Sequence, residues 1–127
     1  METVFLIGRV LFGGYFLMSG INHVTSFDTM ACYAASKGVP HTNVAVVSTV
    51  LLLILGGAGV ILGLFVNASL LALALFLVGV TPVMHKFWTI TDPMQKMGER
   101  IIFMKNSALL GALLMLYMIA LPWPMSV

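Results

Sequence analysis

The sequence predicts an all-α membrane protein, an antiparallel bundle of four transmembrane helices with a short interfacial helix between the first two, forming one domain over 1–127. Three observations carry that. Of the 127 residues 61% are hydrophobic and only 8% charged, with a mean hydropathy of +1.10; such a chain cannot fold in water without large exposed apolar patches. A helix needs ~20 mostly apolar residues to cross a hydrocarbon core of ~30 Å, and four windows of that kind, 3–23, 43–65, 68–85 and 101–121, fill the sequence. The few polar side chains collect near the ends of those windows.

The first window lacks a basic start and a small-residue cleavage site, so it is expected to be retained as a membrane helix. Gly13, Phe16, Gly20 and His23 fall within about 40° of Arg9 around its axis, a single stripe that must face protein. Arg9 has two readings. It snorkels to the headgroups with Glu2 as its partner, or its fork of donors holds a carbonyl, carboxylate or sulfur oxyanion at the outer mouth of the bundle.

After the first window, Ser26 or Asp28 is placed to cap a short helix with Phe27, Met30, Ala31 and Ala34 on one side, and Gly38 and Pro40 stop it. A one-sided helix of this length is expected on the membrane surface, as a lid or spacer, with Lys37 toward the headgroups. Cys32 is read as a small packing residue. A lone cysteine excludes an intrachain disulfide and dithiol exchange chemistry.

The second and third windows are interrupted only around Asn67 and must form a tight hairpin. Gly56, Gly57, Gly59 and Gly63 let a neighbouring helix approach closely, or leave a slot for a flat ring. The connection 86–100 starts aromatic with Phe87 and Trp88 and then turns charged, as where a chain leaves the bilayer. In the fourth window Asn106 and Tyr117 share a face, with Tyr117 expected to donate to neighbouring backbone. Pro122, Trp123 and Pro124 are expected to end that helix at the interface.

His23 closes the first helix, His85 and Lys86 the third, and Lys105 and Asn106 open the fourth, so these side chains are expected at one depth. Two imidazoles, a lysine and an amide suit a quinone head whose carbonyl oxygens accept from His or Lys while a histidine handles the proton. They suit lipid phosphates equally. Haem or metal ligation by His23 and His85 is disfavoured, because the pair sits at helix ends with no third donor nearby; no metal site is expected. Lys37, Lys86, Lys96, Arg100 and Lys105 lie on the face of the long connections and Arg9 alone on that of the termini, which makes the connections cytoplasmic and the termini external. The net charge of +2 gives no reason to expect a nucleic-acid partner.

These residues carry a resemblance. The stripe Arg9, Gly13, Phe16, Gly20, His23, then Gly38-Val39-Pro40, Gly56-Gly57 through Leu62-Gly63-Leu64-Phe65, then His85, Phe87, Trp88, and finally Phe103, Lys105, Asn106 and Gly111 resemble the DoxX family of small four-helix membrane proteins over nearly the whole chain. The resemblance implies a prokaryotic cytoplasmic membrane and a link to quinone-associated redox enzymes. Its motif residues here would be Arg9, Gly20, His23, His85, Lys105 and Asn106. Many relatives carry a glutamate where this chain has Leu53, so a proton-handling role for that carboxylate is not available here. Two functional readings follow. One is a quinone-binding membrane redox subunit in which Arg9, His23, His85, Lys105 and Asn106 bind ligands and a partner, or the substrate itself, supplies electrons. The other is a non-catalytic accessory subunit, packed on a larger membrane complex through an outward small-residue surface such as the Gly59–Gly63 face, with the polar residues holding lipid or the partner; in either case other subunits or a second copy of the chain are the expected partners.

Overall fold

The computed structural model of the protein describes residues 2–119 and 121–123. Five α-helices follow one another: α1 Glu2–Thr25, α2 Phe27–Ser36, α3 Thr42–Leu62, α4 Val66–Met84 and α5 Pro93–Tyr117, with a single 3₁₀ turn at Phe87–Thr89 before α5. Four of them, α1, α3, α4 and α5, are long and apolar enough to cross a membrane. The protein is an all-α multi-pass bundle.

Small residues set the closest approach. A Cβ on Gly13 would stand 2.7 Å from the carbonyl oxygen of Gly57, and a Cβ on Gly57 would stand 2.7 Å from that of Gly13. The α1 and α3 backbones therefore touch directly. In lipid, where apolar burial between helices gains little, such close packing is what holds them. Arg9, Gly13, Phe16 and Gly20 are the buried positions of α1, so the expected stripe does face protein, and His23 ends it half-buried.

The α3–α4 hairpin turns at Gly63–Phe65 rather than around Asn67, which lies in the first turn of α4. Gly63 adopts φ 72° and Phe65 φ 46°, and the amides of Gly63 and Leu64 both donate to the Gly59 carbonyl. A glycine closes a helix in the left-handed region without the Cβ penalty that another residue would meet. Ser69 packs on Gly59 from α4. The Gly59–Gly63 segment is thus consumed by the hairpin and offers no outward small-residue face.

On α2, Ala34 is buried and Phe27, Met30 and Ala31 are half-buried against the bundle, as their spacing implies. Ser26 occupies the N-cap position without a side-chain cap bond. Cys32 is exposed, because two residues beyond Met30 is ~200° around the helix. It does not pack.

The last helix differs most from expectation. It starts at Pro93, well before residue 101, because the Asp92 side chain caps it by accepting from the Gln95 amide at 3.2 Å and proline fits the first turn. It ends at Tyr117. Trp123 is not an interfacial anchor: it is 2% exposed and sets its ring edge-on to Phe5 at 5.3 Å. Pro124 lies outside the described residues. Tyr117 is 60% exposed, and its hydroxyl makes no hydrogen bond among the described residues. Only Asn106 and Leu113 of α5 are buried, so this helix leans on α4 and leaves its seam with α1 open.

Candidate functional site

The open seam widens, at the end of the bundle that carries α2, into a cleft of about 460 Å³ between α1, α2, α4 and α5. Its wall includes His23, His85, Lys105 and Asn106, four of the five residues chosen from the sequence, together with Tyr15 and Tyr33. Arg9 is elsewhere, 14 residues or ~21 Å along α1 from His23.

Both imidazoles are locked through the same nitrogen. His23 Nδ1 lies 2.6 Å from the Ser19 carbonyl oxygen, which can only accept, so Nδ1 carries the hydrogen. His85 Nδ1 lies 2.6 Å from Oε2 of Glu99, with both side chains 15% exposed, and again the carboxylate accepts. In the neutral form each ring therefore presents Nε2 as a lone pair. This corrects the picture of neutral histidines donating to a carbonyl oxygen.

Glu99 has a second partner. Its Oε1 accepts from the Tyr33 hydroxyl at 2.7 Å, so one carboxylate ties α2 to α5 and orients a histidine at the end of α4. Burial, then the hydrogen bond and the charge of Glu99, push the Tyr33 phenol up to about 12. Lys105 Nζ donates to the Tyr15 hydroxyl and stands 4.9 Å from the centre of that ring. The Asn106 amide is buried and donates to Thr81 Oγ1 at 3.1 Å, which pins α5 to α4 beside the cleft. Among the described residues no three His, Cys, Asp or Glu side chains stand together as a metal site.

The two aromatic motifs meet. Phe87 and Trp88 set their rings edge-on to Phe103 at 5.4 and 5.8 Å, and to each other at 5.3 Å. This cluster holds the 85–92 connection on α5. Glu99, one turn before Phe103, is thereby carried to His85.

Arg9 is 2% exposed. Its Nε donates to the Val60 carbonyl at 3.1 Å and its Nη2 to that of Ile61 at 2.8 Å, and its guanidinium carbon lies 5.7 and 5.6 Å from the ring centres of Phe5 and Trp123. The last carbonyls of a helix lack partners within it and carry its negative dipole end. Two donors of the fork thus serve the end of α3, not the bilayer surface, and Glu2 forms no ion pair among the described residues.

Sequence reasoning missed Glu99, Tyr33 and Tyr15. Glu99 had a signal: Asp92-Pro93 starts a helix, and once α5 begins there, Glu99 lies seven residues before Asn106 on the same face. Tyr33 lies off the apolar face of α2, and nothing local to it announces its partner 66 residues away.

The DoxX family model matches residues 4–86, which reach from α1 past the end of α4 and stop short of α5. No curated protein and no solved structure matches the chain.

Proposed function

The chain belongs to the DoxX family, and from that premise together with the make-up of its cleft we propose that it is the quinone-binding subunit of a membrane oxidoreductase. One observation carries the reading: His23, His85, Lys105 and Asn106, far apart in sequence, line one cleft that opens along the side of a membrane bundle.

A quinone takes up two electrons and two protons at its two ring oxygens. Lys105 supplies a fixed positive donor for one of them, and Tyr15, which accepts from Lys105, keeps its own hydroxyl hydrogen to donate. His85 serves the other oxygen. Its Nε2 takes a proton from a ring hydroxyl and returns it to a ring carbonyl, while Glu99 on Nδ1 holds the tautomer and stabilises the charged ring. Glu99 thus provides, from α5, the carboxylate that Leu53 does not; Leu53 is fully buried core beside Gly20. With a single, exposed cysteine in the chain, the electrons come from a partner protein bearing a flavin, haem or reactive thiols, or from a substrate that reduces quinone directly.

The orientation proposed is that of a cytoplasmic-membrane protein of a prokaryote with α2 and the 85–92 connection inside. Lys37, Lys86, Lys96 and Arg100 remain on that face, whereas Lys105 is turned into the cleft and Arg9 is spent on α3. An accessory role docked through the Gly59–Gly63 face finds less support, because Ser69 packs on Gly59.

The test is titration of a quinone analogue against the purified protein in detergent, read by quenching of Trp88, whose ring adjoins Phe87 and Phe103. Saturable binding weakened about tenfold or more, ~1.4 kcal/mol, by His85→Ala and by Lys105→Ala is the expected result. Absence of saturable binding, or indifference to both changes, would overturn the reading.

A further inference from the structure

Behind His23 lies a second cavity. It has a volume of about 220 Å³, lies between α2, α3 and α4 and shares His23, Met30, Phe76, Val80 and Met84 with the first, so the two adjoin at those side chains. Their walls differ sharply. The first presents Lys105, His85, Asn106 and two phenols, whereas the second is lined by apolar residues, Phe76 among them, apart from His23 and Thr49. The Thr49 hydroxyl donates to the Ala45 carbonyl at 2.9 Å, which takes it out of the pocket's chemistry.

Part of that wall is made by a missing side chain. Gly79 stands inside α4, where glycine is unfavourable relative to alanine, yet a Cβ there would meet nothing within 4 Å. No close helix approach explains it, unlike Gly13 or Gly57. What it leaves is room in the pocket. Met30 and Ala34 of α2 line the same pocket, and Tyr33 on that helix is fastened to Glu99.

We propose that the apolar compartment takes the hydrocarbon chain of the same molecule whose polar head occupies the cleft, so that the bound species is an amphiphile with a hydrogen-bonding head and its first chain carbons seated between α3 and α4. This rests on the head site proposed above and adds the class of molecule that fits it. In a bilayer, moving a chain from lipid to an apolar pocket changes little apolar exposure. The pocket therefore acts through shape: contacts with a chain of the right width fix how far the head advances toward Lys105 and His85. A quinone with a chain on its ring and a single-chain phospholipid share that chemistry.

The experiment measures binding to nanodisc-embedded protein, with affinities expressed as mole fractions in the lipid. The probes are a dimethoxy-methyl benzoquinone without a chain, the same ring with a decyl chain, and lysophosphatidylglycerol. The proteins are the wild type, Gly79→Leu, which fills the pocket, and Gly111→Leu, which places the same side chain on α5 where a Cβ also meets nothing within 4 Å. Expected are a preference of the wild type for the decyl ring over the chainless ring, loss of that preference by about tenfold or more in Gly79→Leu, whose side chain takes the space the chain would occupy, unchanged binding of the chainless ring, and no effect of Gly111→Leu. If neither quinone binds but lysophosphatidylglycerol does, and only Gly79→Leu weakens it, the chain pocket stands and the quinone reading falls. A chain that adds nothing in the wild type, a preference that survives Gly79→Leu, or failure of all three probes to bind overturns the proposal.

Discussion

Replacing Arg9 with methionine removes the guanidinium while keeping a flexible side chain of similar reach in a site that is almost fully enclosed. The change leaves the Val60 and Ile61 carbonyls at the end of α3 without the donors that reach them at 3.1 and 2.8 Å. A hydrogen bond from a charged donor contributes ~1.5–3 kcal/mol in a water-soluble protein. Between membrane helices the measured average is only ~0.6 kcal/mol and the maximum ~1.7, because separated helices find other partners. Two bonds at the upper part of that range, with modest contributions from the rings of Phe5 and Trp123, make the expected loss about 3 kcal/mol. Arg9→Lys keeps the charge but not the fork, and is expected to lose about half as much. The assay is reversible unfolding in mixed micelles of rising sodium dodecyl sulfate content, followed by near-ultraviolet circular dichroism, where Trp123 against Phe5 gives a local signal. Quinone titration under folding conditions should be unchanged in both variants, since Arg9 stands ~21 Å along α1 from His23. An Arg9→Met protein as stable as the wild type within ~0.5 kcal/mol but unable to bind the head would refute the argument and return Arg9 to the ligand site.

Two further outcomes are expected. Tyr33 should be titrated by base only as pH rises toward about 12, above the ordinary value of 10, owing to burial and to Glu99. A group whose folded pKa is raised supports the fold fully below its unfolded value, so the tie between α2 and α5 is intact below pH 10 and lost as pH climbs through about 12. The ultraviolet absorbance step missing from Tyr33→Phe should lie in that upper range; a missing step centred at 10 would contradict the Glu99 contact. For orientation, Cys32 is the sole cysteine and is exposed on α2, so a membrane-impermeant maleimide should label it in inverted vesicles and not in right-side-out ones. The opposite pattern would reverse the topology.

The bundle was legible because its controlling signals are local and periodic. The α1 stripe follows from a spacing of three and four, and the glycines of α3 announce a close neighbour, which proved to be α1 at Gly13–Gly57 and α4 at Gly59–Ser69. The start of α5 was misplaced because Lys96, Glu99 and Arg100 depress hydropathy just where the Asp92 cap and Pro93 begin the helix. That error hid Glu99 by assigning it to a solvated connection. Four of the five chosen site residues share the cleft: His23 and His85 stand at helix ends, and α5, which starts at Pro93, brings Lys105 and Asn106 of its middle turns to them. Arg9 departs because helix-terminal carbonyls, invisible in a hydropathy pattern, were its partners. Of the two uses foreseen for the α3 glycines, Gly56, Gly57 and Gly59 serve close packing, and only the three-dimensional surroundings distinguish them from Gly79, beside which the space is empty.

The slight burial of α5 bears on how the molecule is made. Synthesis delivers α1, α3 and α4 first, and these three already hold one another through Gly13, Gly57 and the Gly63 hairpin. Until the ribosome has added α5, His85 has no carboxylate to choose which of its nitrogens keeps the proton, and Lys105 is not yet opposite Tyr15. A chain that has reached only the end of α4 would therefore hold its scaffold contacts while lacking the partner that fixes the tautomer of His85.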